Sequence, residues 1–291
     1  MNPKLKGIIA LLIASLGFSL MGTFVKLSGD IPVIQKSLFR NIVGMIIPLI
    51  IVIKTKDRLF GRLENQKVLI LRSTFGLFGV LLNYYTIDKM VLSDSDMLNK
   101  LSPFFTILFC SFFLSEKIKK YQMYAIIVGF IGALFIIKPS FSSDMMVALV
   151  GVLGAIFAGL AYTMLRILGP REKFYTTVFY FSFFSTIVLL PMVLLNYQPM
   201  TMKQTILLLL SGVFATIGQF GITIAYHYAP AKDISIFTYS TVLFSAIISF
   251  VIFKQVPDVF SFIGYFIIFF ASYYMFMKVK QASIQQTKEN H

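Results

Sequence analysis

The segment Asp94-Ser95-Asp96-Met97-Leu98-Asn99-Lys100-Leu101-Ser102-Pro103 brings together two carboxylates, an amide, an ammonium and hydroxyls. The apolar run Phe104 to Leu114 follows at once. Ionisable groups carried into a bilayer are costly, turn toward a polar interior and mark function by default. Asp96 and Lys100 stand four residues apart and can share one helix face. Asp94 must point elsewhere, and Arg40 is its expected partner. Two readings follow. In the first, buried ion pairs among Arg40, Asp94, Asp96 and Lys100 lock the outer half of a helix bundle. In the second, Lys100 with Arg40 binds a substrate carboxylate while Asp96 takes an amine or a proton. The four charges cancel, as burial requires. Pro103 cannot donate to the carbonyl of Asn99, so a kink and a polar notch beside Asn99 and Ser102 are expected, with Pro103 as a hinge.

The rest of the chain must position this stretch inside a membrane. Of its 291 residues 57% are hydrophobic and only 13% charged, against about 25% charged in a soluble domain. Runs of about 20 apolar residues span a bilayer as helices. Ten are found, at about 7–28, 34–53, 67–87, 90–114, 121–138, 146–166, 173–196, 203–227, 230–253 and 258–278. The expected class is therefore an all-α integral membrane protein. Lys4 and Lys6 precede a first apolar run that is too long for a signal peptide and closes on no cleavage site. It reads as a membrane helix.

The net charge of +14 lies mostly in short connections. With the N-terminus inside, seventeen cations fall on the cytoplasmic side and five outside (Lys36, Lys89, Lys138, Lys203 and Lys254). Both termini are then expected to be cytoplasmic, in a multi-pass protein of the cytoplasmic membrane. No basic face with interleaved aromatics suggests nucleic acid. Cys110 stands alone, the two histidines are far apart, and no phosphate-cradling glycine loop occurs, so neither a metal, a cofactor nor an ATP-driven pump is implied. Lys26 and Arg72 sit near span ends and are expected to snorkel.

The two halves repeat at an offset of 140 and then 139 residues. Thr23 matches Thr163, Lys26 matches Arg166, Phe75 matches Phe214, Gly79 matches Gly218 and Asp94 matches Asp233. Five spans per half make the second half enter upside down. Residues 1–140 and 141–280 are then inverted repeats, followed by a disordered tail, 281–291. Such repeats are the architecture of many secondary transporters.

Each repeat turns tightly into its fourth helix, at Lys89 to Asp94 and at Tyr228 to Asp233. Leu101-Ser102-Pro103-Phe104-Phe105-Thr106 and Phe113-Leu114-Ser115-Glu116-Lys117-Ile118 follow in the first half. In this pattern the chain resembles the drug/metabolite transporter superfamily, EamA-type branch. Thr241-Val242 and Gln255 depart from the pattern in the second half. The resemblance implies transport and a central cavity lined by helices 1, 3, 4, 6, 8 and 9. The cavity candidates by position are Asn83, Tyr84, Asp96, Asn99, Lys100, Ser102, Tyr162, Gln219, Thr223, Thr238 and Tyr239. Arg166, Asp233 and Tyr239 are expected to close the inner end, and the richer outer group to favour an inward-open state.

The expected function is movement of a small organic metabolite, with an amino acid or related zwitterion as cargo. Export of cationic or amphiphilic drugs is the alternative. A lipid-modifying enzyme is a remote one, because only Glu116, Asp233 and His227 approach the inner surface. Proton coupling, with Asp96 as carrier, and assembly as a homodimer stay open.

Overall fold

The computed structural model describes residues 3–115, 117–138, 143–228 and 235–289. Glu116 and Asp233, named above, lie outside them, as do the side chains of Thr223 and His227. The described helices are α1 (Pro3–Leu27), α2 (Val33–Thr55), α3 (Gln66–Lys89), α4 (Leu92–Asn99), α5 (Ser102–Leu114), α6 (Lys120–Ile137), α7 (Ser143–Leu168), α8 (Phe174–Leu195), α9 (Met202–Tyr228), α10 (Ser240–Phe253) and α11 (Val259–Glu289). Among the described residues nine segments are long and apolar enough to cross a membrane, and the shorter Phe237–Phe253 makes the tenth crossing. Consecutive crossings alternate between a near end of the bundle, where α1 begins, and a far end, where it finishes.

The fourth crossing is broken where the proline predicts. The amides of Lys100 and Leu101 reach back three residues, to Met97 and Leu98, and Phe104 does the same to Leu101. This tighter winding carries the chain from α4 to α5 past the donor that Pro103 lacks. The ninth crossing is broken at the equivalent place, where a 3-10 turn, Ser235–Tyr239, leads into α10. Both broken crossings then end on a left-handed residue, Ser115 (φ 54°) and Lys254 (φ 54°), which stand 139 positions apart.

The packing has the symmetry of two inverted five-helix repeats. α1 packs on α9 as α3 packs on α7, α1 on α10 as α5 on α7, and α2 on α8 and α6 on α11 pair like with like. Ser19 donates to the carbonyl of Thr241 at 2.8 Å. At the corresponding place Gly159 comes so close to Ser102 that a Cβ would lie 3.2 Å from its carbonyl. Small residues at such crossings let backbones touch, which replaces the hydrophobic force that lipid removes. The segment from 281 onward, read from composition as disordered, continues α11 as far as Glu289. Its Ala, Gln, Lys and Glu residues are good helix formers.

Candidate functional site

A cavity of about 540 Å³ enters from the near end and stops inside the bundle. Its walls come from α1, α3, α4, α7, α9 and the Thr238–Thr241 turn, as the resemblance implies. Arg40 of α2 and the stretch Phe174 to Phe181 of α8 join them. Asn83, Tyr84, Asp96, Asn99, Lys100, Tyr162, Gln219 and Thr238 all line it. Tyr162 is 47% exposed, and as a lining residue it presents that surface to the cavity.

The break after α4 is what aims Lys100. The last turn of α4 and the tight turn after it put Asp96, Asn99 and Lys100 on the cavity wall. The Lys100 ammonium donates to the Thr241 hydroxyl at 3.4 Å. Asp96 is hydrogen-bonded to the hydroxyl of Ser245 of α10, and the Ser245 hydroxyl lies 3.0 Å from that of Ser19. The carboxylate and ammonium of this pair therefore each bond across to the ninth crossing.

Three expectations are corrected. Asp94 does not meet Arg40: it accepts from the hydroxyl of Tyr265, which lies 3.0 Å from Ser93 as well. Facing α11, it stands off the cavity. Ser102 is buried, and its carbonyl receives Thr106. Tyr239 bonds to Ser272 and packs on Phe269, so it belongs to the α11 contact. A helical period fixes directions within one helix, but a residue's partner depends on neighbours far along the chain. Arg166 is exposed in the last turn of α7, and Pro103 occupies the first turn of α5.

Arg72 is also corrected. Instead of snorkelling, its guanidinium lies 4.2 Å from the ring centroid of Phe181, and that of Arg40 lies 5.9 Å from the same ring. Both line the cavity.

The far end is sealed by groups that the sequence reading did not bring together. The buried Lys36 ammonium pairs with Asp88 at 2.6 Å and donates to the Val25 carbonyl at 3.2 Å. Lys26 donates to the carbonyl of Met90 at 2.5 Å and to Gln255 at 2.9 Å. Gln204 reaches the Ser28 carbonyl at 3.1 Å. Asp88 stands just past the apolar part of the third run, where a charge reads as interfacial. Only the run of α3 to Lys89 and the start of α2 at Val33 set it against Lys36.

At the near end Glu172 forms part of the cavity mouth. Its carboxylate accepts from the amide of Arg62 at 2.7 Å and from Asn65 at 2.6 Å. Tyr175 donates to Asp57, and this bond holds the Asp57 carboxyl below its usual value. These contacts tie the connection after α2 to the connection before α8 without covering the mouth.

The arrangement can admit a small polar solute from one end, hold it among charged groups of both signs and bar it from the other end. That is the geometry of a carrier. Among the described residues no group of His, Cys, Asp and Glu could hold a metal ion.

Comparisons agree. Residues 5–138 and 145–277 each match the EamA-like transporter family. Pseudopaline exporter CntI of Pseudomonas aeruginosa is 31% identical over 261 residues, covering 89% of this chain and 91% of that protein. Human solute carrier family 35 member G1 is 25% identical over 267 residues, covering 86% of this chain and 73% of that one. A solved crystal structure covers 95% of this chain and 98% of its own at a TM-score of 0.67 and 12% identity, a likeness of fold. The protein is a multi-pass transporter, not an enzyme, and it belongs to the EamA-like transporter family within the drug/metabolite transporter superfamily.

Proposed function

We propose that the protein is a secondary transporter that exports a small organic zwitterion across the cytoplasmic membrane by alternating access of its two inverted repeats. The observation that carries this reading is the placement of Asp96 and Lys100 on the wall of a cavity open at one end only. An ammonium for a cargo carboxylate and a carboxylate for a cargo amine stand together, both inside the bundle. The distribution of cations supports a cytoplasmic near end, which makes this an inward-open state. Similarity to an exporter supports the direction. Against a cationic cargo stands the cavity itself, where Arg40, Arg72 and Lys100 face Asp96, with Glu172 only at the mouth.

We assign proton coupling to Asp96. Its contact with Ser245, the Ser245–Ser19 contact and the bond from Ser19 to Thr241 form one chain. Each hydroxyl has one proton to give. All three contacts are hydrogen bonds at once only if Asp96 itself carries a proton and donates to Ser245. A cargo amine and a proton then compete for one carboxylate, which couples outward cargo to inward protons.

The test is ligand stabilisation of the purified protein, followed with a dye because the chain has no Trp. Amino acids, nucleosides, polyamines and cationic drugs are compared on wild type and Lys100→Ala. Zwitterions should stabilise wild type and lose their effect on the variant. Stabilisation by cations alone, unchanged in the variant, overturns the reading.

A further inference from the structure

Arg40 and Arg72 lie on different helices yet share the ring of Phe181. Arg40 is 8% exposed, and its guanidinium donates to the side-chain oxygen of Asn41 at 3.1 Å. Its Nε, and the Nε and one Nη of Arg72, have no hydrogen-bond partner among the described residues. Neither forms an ion pair there. A smaller recess of about 20 Å³, bounded by Arg40, Asn41, Arg72, Phe181, Ser182 and Gln219, sits at these donors and excludes Asp96 and Lys100. The site is held tightly: a Cβ on Gly76 would stand 3.0 Å from Phe181 and 3.3 Å from an Arg72 nitrogen.

Two like charges this close repel, and buried unpaired guanidinium donors are costly. One oxyanion relieves both, because planar guanidinium forks match carboxylate or phosphate geometry. We propose that Arg40 and Arg72 form an oxyanion clamp, separate from the Asp96–Lys100 pair, that binds a second acidic group of the cargo. The inference rests on the zwitterion reading for the identity of the cargo. It makes that cargo elongated and net anionic, with an amine and a carboxylate at one end and another oxyanion at the other.

The experiment measures thermal stabilisation and binding on wild type, Arg72→Gln, Gly76→Ala and Lys100→Ala, with three probes. Sodium sulfate, at matched ionic strength against chloride, tests the clamp alone. 2-Aminohexanoate and 2-aminoadipate share a backbone length and differ in the second acid. Sulfate should raise the wild-type midpoint by about 5 °C near saturation. The shift should vanish in Arg72→Gln, shrink in Gly76→Ala, where both charges remain, and persist in Lys100→Ala. The two-acid probe should bind wild type roughly tenfold tighter than the one-acid probe, the scale of a charge-assisted bond, and the ratio should fall to about one in Arg72→Gln. If sulfate acts and the amino acids do not, the clamp stands as an inorganic oxyanion site and the zwitterion reading fails. If both amino acids bind alike and sulfate does nothing, the clamp is overturned and the zwitterion reading survives. If no probe acts on wild type, both fail.

Discussion

The ammonium of Lys36 and the carboxylate of Asp88 meet at 2.6 Å, with Lys36 wholly buried between α2 and α3 at the sealed end. Removing one member leaves the other charged and alone, which costs about 3–5 kcal/mol. Asp88→Asn should therefore lower the thermal midpoint strongly. The double variant Lys36→Met/Asp88→Leu should recover most of the loss. A double variant no better than the single one would show that the pair matters through its geometry and not its charge.

Asp96 and Ser245 give a prediction about coupling. Asp96→Asn keeps a donor toward Ser245 and discards both the negative charge and the exchangeable proton. In proteoliposomes, export driven by a pH gradient should drop at least tenfold, about 1.4 kcal/mol or more in free energy. The folded protein should be as stable as wild type. Gradient-driven flux at the wild-type rate in this variant would remove Asp96 from the coupling role.

The helices α6 and α11 come close together at Gly264. A Cβ there would stand 2.7 Å from the carbonyl of Gly132 and 2.7 Å from Ile136. A backbone oxygen cannot rotate aside, so Gly264→Ala must part the helices and should cost about 1–3 kcal/mol. Unfolding in detergent would measure it. The distant charged residues of the cavity should keep their ligand preferences.

Asp258, just before α11, and Lys138, just after α6, pair at 2.6 Å outside the spans, both partly exposed. Asp258 also accepts from the Ser261 amide at 2.8 Å and so caps α11. Slight burial pushes its carboxyl up, but the bonds from Lys138 and Ser261 outweigh this and hold it below the ordinary value of 3.8. Its contribution is then present above that value and is lost as pH falls through the lower, folded-state value. Lys138→Ala should cost roughly 0.2–1 kcal/mol at neutral pH. Asp258→Ala should cost more, about 0.5–2 kcal/mol, because the cap goes too. Stability measured between pH 6 and 3 should fall less steeply in Asp258→Ala than in wild type.

Sequence made the crossings and their repeat legible because both rest on local composition. About twenty apolar residues declare a span, and an offset that pairs Asp94 with Asp233 also pairs Ser115 with Lys254, which share a left-handed backbone. Pro103 announced the break, since a missing donor is a property of one residue. What stayed hidden was partnership. The helical period turned Asp94 away from Asp96, yet nothing nearby pointed to Tyr265, 171 positions on. Arg72 lay close enough to a span end to reach water, and only Phe181 and Gly76 packed around it show why it turns inward.

Lys26 joins the two repeats, donating to Met90 of the first and Gln255 of the second. In the proposed alternating-access cycle this bond would have to be broken each time the carrier opened at its far end. Its strength therefore sets a waiting time. Each 1.4 kcal/mol of it lengthens that wait about tenfold. A carrier stripped of this contact would cycle faster and leak more, so the residue acts on tempo and leaves the choice of cargo to the cavity.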